Sequence, residues 1–261
     1  MEHPKASVLE GGLDDIRCSP PDHGRVDLIV RRPAENAREV LAEARLDRAE
    51  GLVGDTWRVR PSNLTRDRSP HPSMQLTLMN CRVAALVAGG DERRQLAGDQ
   101  LYVDLDLSEA NLPPGTRLAL GSAVIEISDK PHRGCQKFAE RFGQEALKFV
   151  NSPVGRELRL RGVNARVVAT GTVRVGDAIR KRPAEQSSRR PSARTPVRQR
   201  ARRWFASRRP LPSSNTAFAT APLLTRRSMD QEVFCAQLNV STPKYPGAAV
   251  PAGRHGQASA R

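Results

Sequence analysis

The feature that most constrains the fold is a run of short alternating segments over residues 95–181. Residues 101–107 alternate leucine or valine with polar side chains, and the same period of two returns on both sides of Gly121-Ser122 and of Gly176-Asp177. This period is typical of strands with one buried face, and glycine or proline pairs mark the turns between them. Many short strands with few helices predict a mainly β (α+β) fold, with a compact β-barrel-like domain.

The segments before residue 95 predict further strands and two helices. Residues 25–31 and 74–79 alternate and are expected to be strands, and Asn80 is expected to cap a short helix over residues 80–87. Residues 34–48 carry apolar side chains on one helical face and are predicted to be a helix. Their second half, residues 43–47, would also suit a strand.

The segments after residue 130 predict one helix and two strands. Apolar residues recur at steps of three and four, which indicates one helix with a single buried face: Phe138, Phe142, Ala146, Phe149 and Val150. Alternation over residues 158–161 and over residues 163–167 predicts two strands, with Arg159 and Arg161 on one side of the first.

The net charge of +15 is unevenly divided along the chain. Residues 183–261 carry 14 Lys or Arg and 3 Asp or Glu, whereas residues 1–182 carry 29 and 25. The C-terminal segment is rich in Arg, Ser, Pro and Ala and has no sustained period, so it cannot bury enough apolar surface to offset its ordering entropy. We therefore predict a lead-in over residues 1–24, a domain over residues 25–182 and a disordered basic tail over residues 183–261.

Composition also bears on location and partners. No apolar run approaches the roughly 20 residues of a membrane helix, and the four cysteines form no C-x-x-C pair. We therefore expect a cytoplasmic protein without a membrane partner. The tail could bind nucleic acid nonspecifically through phosphates, with Trp204 and Phe205 available to stack. The plainer interpretation is a solvated tail without a selected function.

The segment KPHRGCQKFAERF, residues 130–142, places one thiol where the predicted helix begins. Cys135 has three basic neighbours, which are His132, Arg133 and Lys137. Positive charge and the unpaired N–H groups of a first helical turn both favour the thiolate, which is a nucleophile or a soft metal ligand. The bland alternative is a small buried hydrophobic residue in a helix that happens to be basic.

A glycine-flanked turn over residues 51–55 carries a carboxylate. It lacks the glycine patterns of dinucleotide-binding and phosphate-binding loops, so neither function is supported. Asp55 either contributes to a site or caps its own turn, as aspartate in a turn commonly does.

Several motifs resemble those of MOSC domains, the molybdenum-cofactor sulfurase C-terminal-type domains, in both order and spacing. The motifs are GLVGD at 51–55, QLTL at 75–78, AGDQL at 97–101, NLPPGTRLALG at 111–121, the segment around Cys135, and GTVRVGDAI at 171–179. The resemblance covers residues 8–182 and is to the stand-alone bacterial type, which consists of a single MOSC domain.

The resemblance implies a β-strand-rich fold that holds a pyranopterin molybdenum cofactor in a positively lined cleft. It implies that Cys135 either ligates molybdenum or carries sulfur destined for it. Its basic neighbours His132, Arg133 and Lys137 would stabilise the thiolate and bind the anionic pterin phosphate. Other residues would extend the phosphate-binding wall or orient the pterin or the substrate: Asp55, Asp99, Arg159, Arg161, Asn164 and Arg166. Each of these is otherwise an ordinary turn residue or part of a strand's solvated face.

Two functions follow from the resemblance. One is a molybdenum-cofactor enzyme that reduces small N-hydroxylated substrates with electrons from an external reductase. The other is a non-catalytic carrier of the cofactor or its sulfur, with a cysteine desulfurase or sulfurase as partner. Pyridoxal phosphate is not expected in this chain, because nothing in it resembles the sulfurase domain that uses this cofactor, which would belong to the partner.

The sequence departs from the family pattern at two points. Many relatives have proline directly before the cysteine, whereas here Gly134 precedes Cys135 and Pro131 lies four residues back. Without a Cβ, Gly134 would let a bulky ligand approach the backbone closely. No counterpart is recognised for the N-terminal β-barrel domain that accompanies MOSC in the amidoxime reducers, which leaves the electron donor and the substrate open.

Overall fold

Strands dominate the part of the chain that the structure describes. The computed structural model describes residues 3–182, and the predicted tail over residues 183–261 lies outside them. The strands are β1 Gly24–Arg31, β2 Glu39–Leu41, β3 Glu43–Asp47, β4 Gly51–Leu52, β5 Leu76–Asn80, β6 Leu101–Asp104, β7 Arg117–Leu120, β8 Ala123–Pro131, β9 Val163–Ala169, β10 Gly171–Arg174 and β11 Ala178–Arg182. The α-helices are α1 Ala6–Gly11, α2 Leu13–Arg17, α3 Cys81–Ala88, α4 Gln136–Phe142, α5 Gln144–Asn151 and α6 Pro153–Glu157.

Seven of the strands close into a mixed barrel. Their order around the barrel is β1, β6, β5, β9, β8, β7 and β11, and β11 pairs back onto β1. All of these pairs are antiparallel except β5 with β6. Strand β2 pairs with residues 29–31 at the end of β1, whereas β11 pairs with Gly24 and Arg25 at its start; β10, β3 and β4 form a separate small sheet. The predicted β-barrel-like fold with a few short helices is therefore confirmed.

Two apolar cores lie on opposite sides of the barrel wall. Alternate residues of the strands fill the interior, among them Ile29, Leu78 and Ile125. The helices cover part of the outside and bury Tyr102 and Phe142 between helix and strand. The barrel wall therefore has two buried faces on its helix-covered side, and polar side chains held there must find partners within the protein.

The N-terminal lead-in contributes to the second core. Helices α1 and α2 bury Leu9 and Ile16 in the same cluster as the helices that follow the barrel strands. None of the helices within residues 3–182 combines the length and the apolar character that crossing a bilayer requires.

The helix predicted over residues 34–48 is wrong, and the alternative for its second half is confirmed. Residues 39–41 and 43–47 form β2 and β3, and within β3 Ala44 and Leu46 are buried while Glu43 and Arg45 are exposed. Strand β3 pairs with β10, and the alternate residues Ala44 and Leu46 are buried on one face of the strand. This tertiary pairing overrides the weak helical pattern of the segment. The helix that Asn80 was expected to cap is confirmed, because its side chain accepts from Arg82 N and Val83 N.

The single helix predicted after Cys135 is two helices. Gly143 adopts φ 89° between α4 and α5, and this left-handed conformation ends the first helix. The strand predicted over residues 158–161 is also wrong, because these residues form turns between α6 and β9. Leu160 is buried there without a strand partner, so its apolar character reflects burial and not β-pairing.

The turn into β9 requires glycine at position 162. Gly162 has φ 101°, and a Cβ there would lie 2.0 Å from the carbonyl oxygen of Leu78. We expect Gly162→Ala to lower the free energy of unfolding by roughly 4 kcal/mol, from the left-handed backbone together with the backbone collision. Denaturant unfolding of both variants would measure this against Gly176→Ala, whose φ of 92° is similar but whose Cβ would meet nothing within 4 Å. Equal losses of unfolding free energy in the two variants would contradict a destabilising collision with Leu78.

Candidate functional site

Four segments meet beside the barrel and define the candidate site: residues 32–38, 55–60, 98–99 and 132–141. Arg32 forms an ion pair with Asp55 and donates from Nη1 to the carbonyl oxygen of Gly98, at 3.0 Å. The Asp99 carboxylate lies 3.5 Å from the ring of His132. Lys137 forms an ion pair of 3.2 Å with Glu35, which lies between β1 and β2. The sequence neighbours of Cys135 therefore meet residues from distant parts of the chain, and Lys137 and Glu35 are 102 positions apart.

Cys135 is an exposed free cysteine at the start of α4. It is the N-cap residue, one position before the first turn in which it was expected, and its side chain makes no capping hydrogen bond. Its carbonyl oxygen accepts from the N–H groups of Phe138 and Ala139. The inert-core interpretation therefore does not describe Cys135. It does describe Cys81, because burial raises the pKa of the Cys81 thiol.

Gly134 fixes the backbone next to the thiol. Its N–H donates to Asn151 Oδ1 at 3.0 Å, and its carbonyl oxygen accepts from Asn151 Nδ2 at 3.1 Å. A Cβ at residue 134 would come within 3 Å of Leu147 and Val150 of α5. The close approach that glycine permits here is therefore to α5, not to a bulky ligand as the sequence suggested.

Asp55 and Arg32 form a buried bidentate ion pair. Arg32 Nε and Nη2 each donate to the carboxylate at 2.8 Å, and the side chain of Asp55 is completely buried. The carboxylate also accepts from the backbone N–H groups of Arg32 and Trp57. Asp55 thus caps its own turn, as its alternative interpretation held, and its oxygens are used inside the protein.

Asp99 lies between Arg161 and His132. Arg161 Nη1 donates to Asp99 Oδ2 at 2.7 Å, and its guanidinium stacks 5.0 Å above the ring of Phe138. Burial lowers the pKa of His132 well below its usual 6.5, and Arg161 and Arg32 lower it further. His132 is therefore neutral at pH 7 and enters the site as a hydrogen-bonding group.

The remaining predicted residues are divided between this site and the surface. Asn164 is buried in β9, where its Nδ2 donates to the carbonyl oxygen of Lys130 while its Oδ1 has no partner. Arg133 and Lys137 are exposed beside Cys135. Arg159 instead turns to the carbonyl oxygen of Leu112 at 2.7 Å, with φ 49°.

Arg166 pairs with Glu126 on the outer face of the barrel, at 2.7 Å. Glu126 and Arg166 also line a cavity of about 340 Å³ with Ser73, Ser128 and Asp129. Among the site residues predicted from the sequence, Arg166 alone lines this cavity, so the predicted chemistry and the cavity are separate.

Three arginines of the site escaped the sequence analysis: Arg38, Arg60 and Arg141. None of them forms an ion pair with a carboxylate among the described residues, and Arg38 Nε is buried without a hydrogen-bond partner. Arg38 Nη2 and Arg141 Nη1 each lie 3.4 Å from the position that a Cβ would take at Gly98, so two like charges come close together.

The pKa values of this group reflect its crowding. Burial lowers the pKa of Arg38, and Arg141 and Arg32 lower it further. Partial burial also lowers the pKa of Arg60, although this residue is exposed at the surface, again with a contribution from Arg32. A bound anion would relieve this repulsion. Arg141 lies in the segment around Cys135, but no local motif groups it with Arg38 and Arg60, because the three lie on different segments. Only the tertiary structure brings them together.

No group of three or more His, Cys, Asp or Glu side chains within residues 3–182 is arranged to hold a metal ion. Comparison with known proteins assigns a family to part of the chain. Residues 86–180 match the family model of the MOSC domain. The chain carries a MOSC domain. The match covers Asp99, Cys135 and Arg161, and it confirms the resemblance stated above; the domain is of a molybdenum-cofactor-related type.

No curated protein matches the chain. Among solved structures, the YUAD protein from Bacillus subtilis aligns with 60% of this chain and 93% of its own, at 15% identity and a TM-score of 0.46. YiiM from Escherichia coli aligns with 61% of this chain and 70% of its own, at 20% identity and a TM-score of 0.41. YiiM from Geobacillus stearothermophilus aligns with 61% of this chain and 75% of its own, at 14% identity and a TM-score of 0.41. The family assignment rests on the family match alone.

Proposed function

We propose that this MOSC domain binds a molybdenum cofactor at the candidate site and reduces small N-hydroxylated substrates there. The observation that carries the proposal is the exposed free thiol of Cys135 at the start of α4, the helix whose last turn brings Arg141 to a group of arginines without carboxylate partners. A soft thiolate suits molybdenum, and guanidinium groups suit the anionic phosphate of a pterin. The four segments of the candidate site carry both kinds of group, and this supports the proposal.

The residues present fit the cofactor in three ways. Arg38, Arg60 and Arg141 would bind its phosphate, because their charges lack counterions among the described residues. Asn164 offers a buried Oδ1 without a partner, which could accept from a pterin N–H group. Cys135 would supply the protein ligand to the metal.

A bound molybdenum cofactor supplies the two-electron chemistry that such a reduction needs, and the protein residues supply binding and orientation. The buried pair of Arg32 with Asp55 fixes the segment after β1 that carries Arg38. The pair of Asn151 with Gly134 fixes the backbone before Cys135. The thiol and the arginines are therefore held by contacts that do not depend on a ligand.

The alternative is a carrier that binds the cofactor or its sulfur for another protein, with a cysteine desulfurase as partner. The exposure of Cys135 also favours this function, because a persulfide must be accessible to the protein that receives it. A cofactor enzyme would instead take electrons from a reductase. Nucleic-acid binding by residues 183–261 lies outside the described residues.

The test is to express the full chain in a host that makes the cofactor, and to measure molybdenum and the fluorescent oxidised pterin in the purified protein. We expect both in similar amounts, and the absence of both would contradict cofactor binding in either form. Reduction of a hydroxylamine or an amidoxime by the loaded protein with a chemical electron donor would then identify an enzyme. A loaded protein without turnover would favour the carrier.

The arginines provide a second prediction. We expect Arg60→Ala to lower the affinity for the cofactor about tenfold, since a hydrogen bond to a charged group contributes about 1.5–3 kcal/mol. Pterin retained per protein after gel filtration would measure the loss. The matched control is Arg180→Ala, which removes an exposed arginine of β11 and should leave retention unchanged. Equal retention in both variants would remove Arg60 from the site.

A further inference from the structure

Asp99 and His132 present two buried polar atoms to each other. Asp99 Oδ1 and His132 Nδ1 lie 3.5 Å apart, and neither atom makes a hydrogen bond to any other group. The side chain of Asp99 is completely buried, and 16% of the His132 side chain is exposed although its Nδ1 is buried. Since buried polar atoms rarely remain unpaired, this proximity indicates an interaction between the two.

The charge on Asp99 decides which of the two side chains, Asp99 or His132, carries the proton between them. Arg161 is buried, and Asp99 is the single carboxylate with which it pairs among the described residues. A buried guanidinium without a counterion is strongly destabilising, so Asp99 is ionised although burial raises its pKa. An ionised carboxylate only accepts hydrogen bonds, so the proton of the pair is on His132 Nδ1.

We propose that Asp99, held by Arg161, fixes His132 in the Nδ1–H tautomer, so that Nε2 is a hydrogen-bond acceptor for an N–H or O–H group of a ligand beside Cys135. A carboxylate that binds one imidazole nitrogen sets the tautomer and orientation of the ring in this way. Asp99 is a positioning residue because it acts through His132. The sequence interpretation gave His132 a cationic role next to the thiol; the neutral ring has an acceptor role instead.

The ligand class follows from the position of the ring. His132 precedes Cys135 by three residues in one short segment, and the exposed 16% of its side chain does not include the buried Nδ1. A neutral acceptor there discriminates against anions and favours donors such as a hydroxylamine N–OH group or an amidoxime N–H group. This identification of the ligand rests on the proposed function, whereas the tautomer does not.

The test is nitrogen-15 NMR of the histidine rings in the full chain at pH 7. The chain has five histidines, and His132→Gln identifies the signals of this one. We expect a protonated Nδ1 and an unprotonated Nε2 in the native protein. In Asp99→Asn, the amide can donate to Nδ1, and we expect Nε2–H to become the major tautomer.

A native protein with mainly Nε2–H would overturn the proposal, and so would a folded Asp99→Asn protein with an unchanged tautomer. The first of these measurements does not use Asp99→Asn, so a failure of that variant to fold does not prevent the test. Asp129→Asn, at an exposed aspartate of β8, should change nothing.

The two proposals can fail separately. If the native protein retains no molybdenum but shows Nδ1–H, the proposed function fails and the tautomer stands. If molybdenum is retained, we expect Asp99→Asn to keep it and to raise KM for an amidoxime about tenfold with a smaller change in kcat, because an acceptor for the substrate is lost. An unchanged KM in a variant with the switched tautomer would overturn the acceptor role.

Discussion

Replacing Asp55 by alanine is expected to lower the free energy of unfolding by about 3–5 kcal/mol, because it leaves the guanidinium of Arg32 buried without its counterion. Arg32 is only 6% exposed and uses two nitrogens for this carboxylate. The variant also loses the acceptor for the Trp57 N–H group at the start of a short 3-10 helix. Denaturant unfolding of the two proteins would measure the difference.

The matched control for this prediction lies one residue away. Arg31 pairs with Glu39 at 2.6 Å, but both side chains are partly exposed, at 32% and 44%. Glu39→Ala should therefore cost no more than about 1 kcal/mol, as for other solvent-exposed pairs. If Asp55→Ala and Glu39→Ala cost the same, the buried pair does not fix the segment after β1 as argued here. The effect on the site would follow, since this segment leads to Arg38.

Replacing Cys135 by serine is expected to abolish molybdenum retention or turnover while leaving the fold intact. The thiol makes no hydrogen bond at the N-cap and is exposed, so its loss should change the stability by less than about 0.5 kcal/mol. A hydroxyl group is a much poorer ligand than a thiolate for a soft metal centre. Molybdenum content and the rate of amidoxime reduction, measured on the same preparation, would check both parts.

Cys81→Ser is the control for Cys135→Ser. Cys81 is the first residue of α3, and burial raises the pKa of its thiol, so it should take no part in metal chemistry. We expect the Cys81 variant to retain its molybdenum and its activity. Unchanged molybdenum and activity in the Cys135 variant would contradict the role proposed for that thiol.

Local patterns were sufficient where a strand or a cap depends on its own residues. Strand β1 and the Asn80 cap of α3 lie where the sequence placed them, because alternation and side-chain capping are properties of short segments. Local patterns failed where a contact between residues far apart in the sequence decides the conformation. Residues 39–47 show a weak helical stripe, yet they form strands because β10 pairs with β3 along Ala44 and Leu46.

The candidate site divides in the same way. The sequence alone determined that Cys135 begins a basic helical segment and that this segment belongs with the MOSC motifs, since both facts are carried by contiguous residues. Only the tertiary structure decided that Arg38 and Arg60 join Arg141 of this segment without counterions, and that His132 is neutral beside Asp99. The physical reason is that charge state depends on burial and on neighbours from distant parts of the chain, which no local pattern contains.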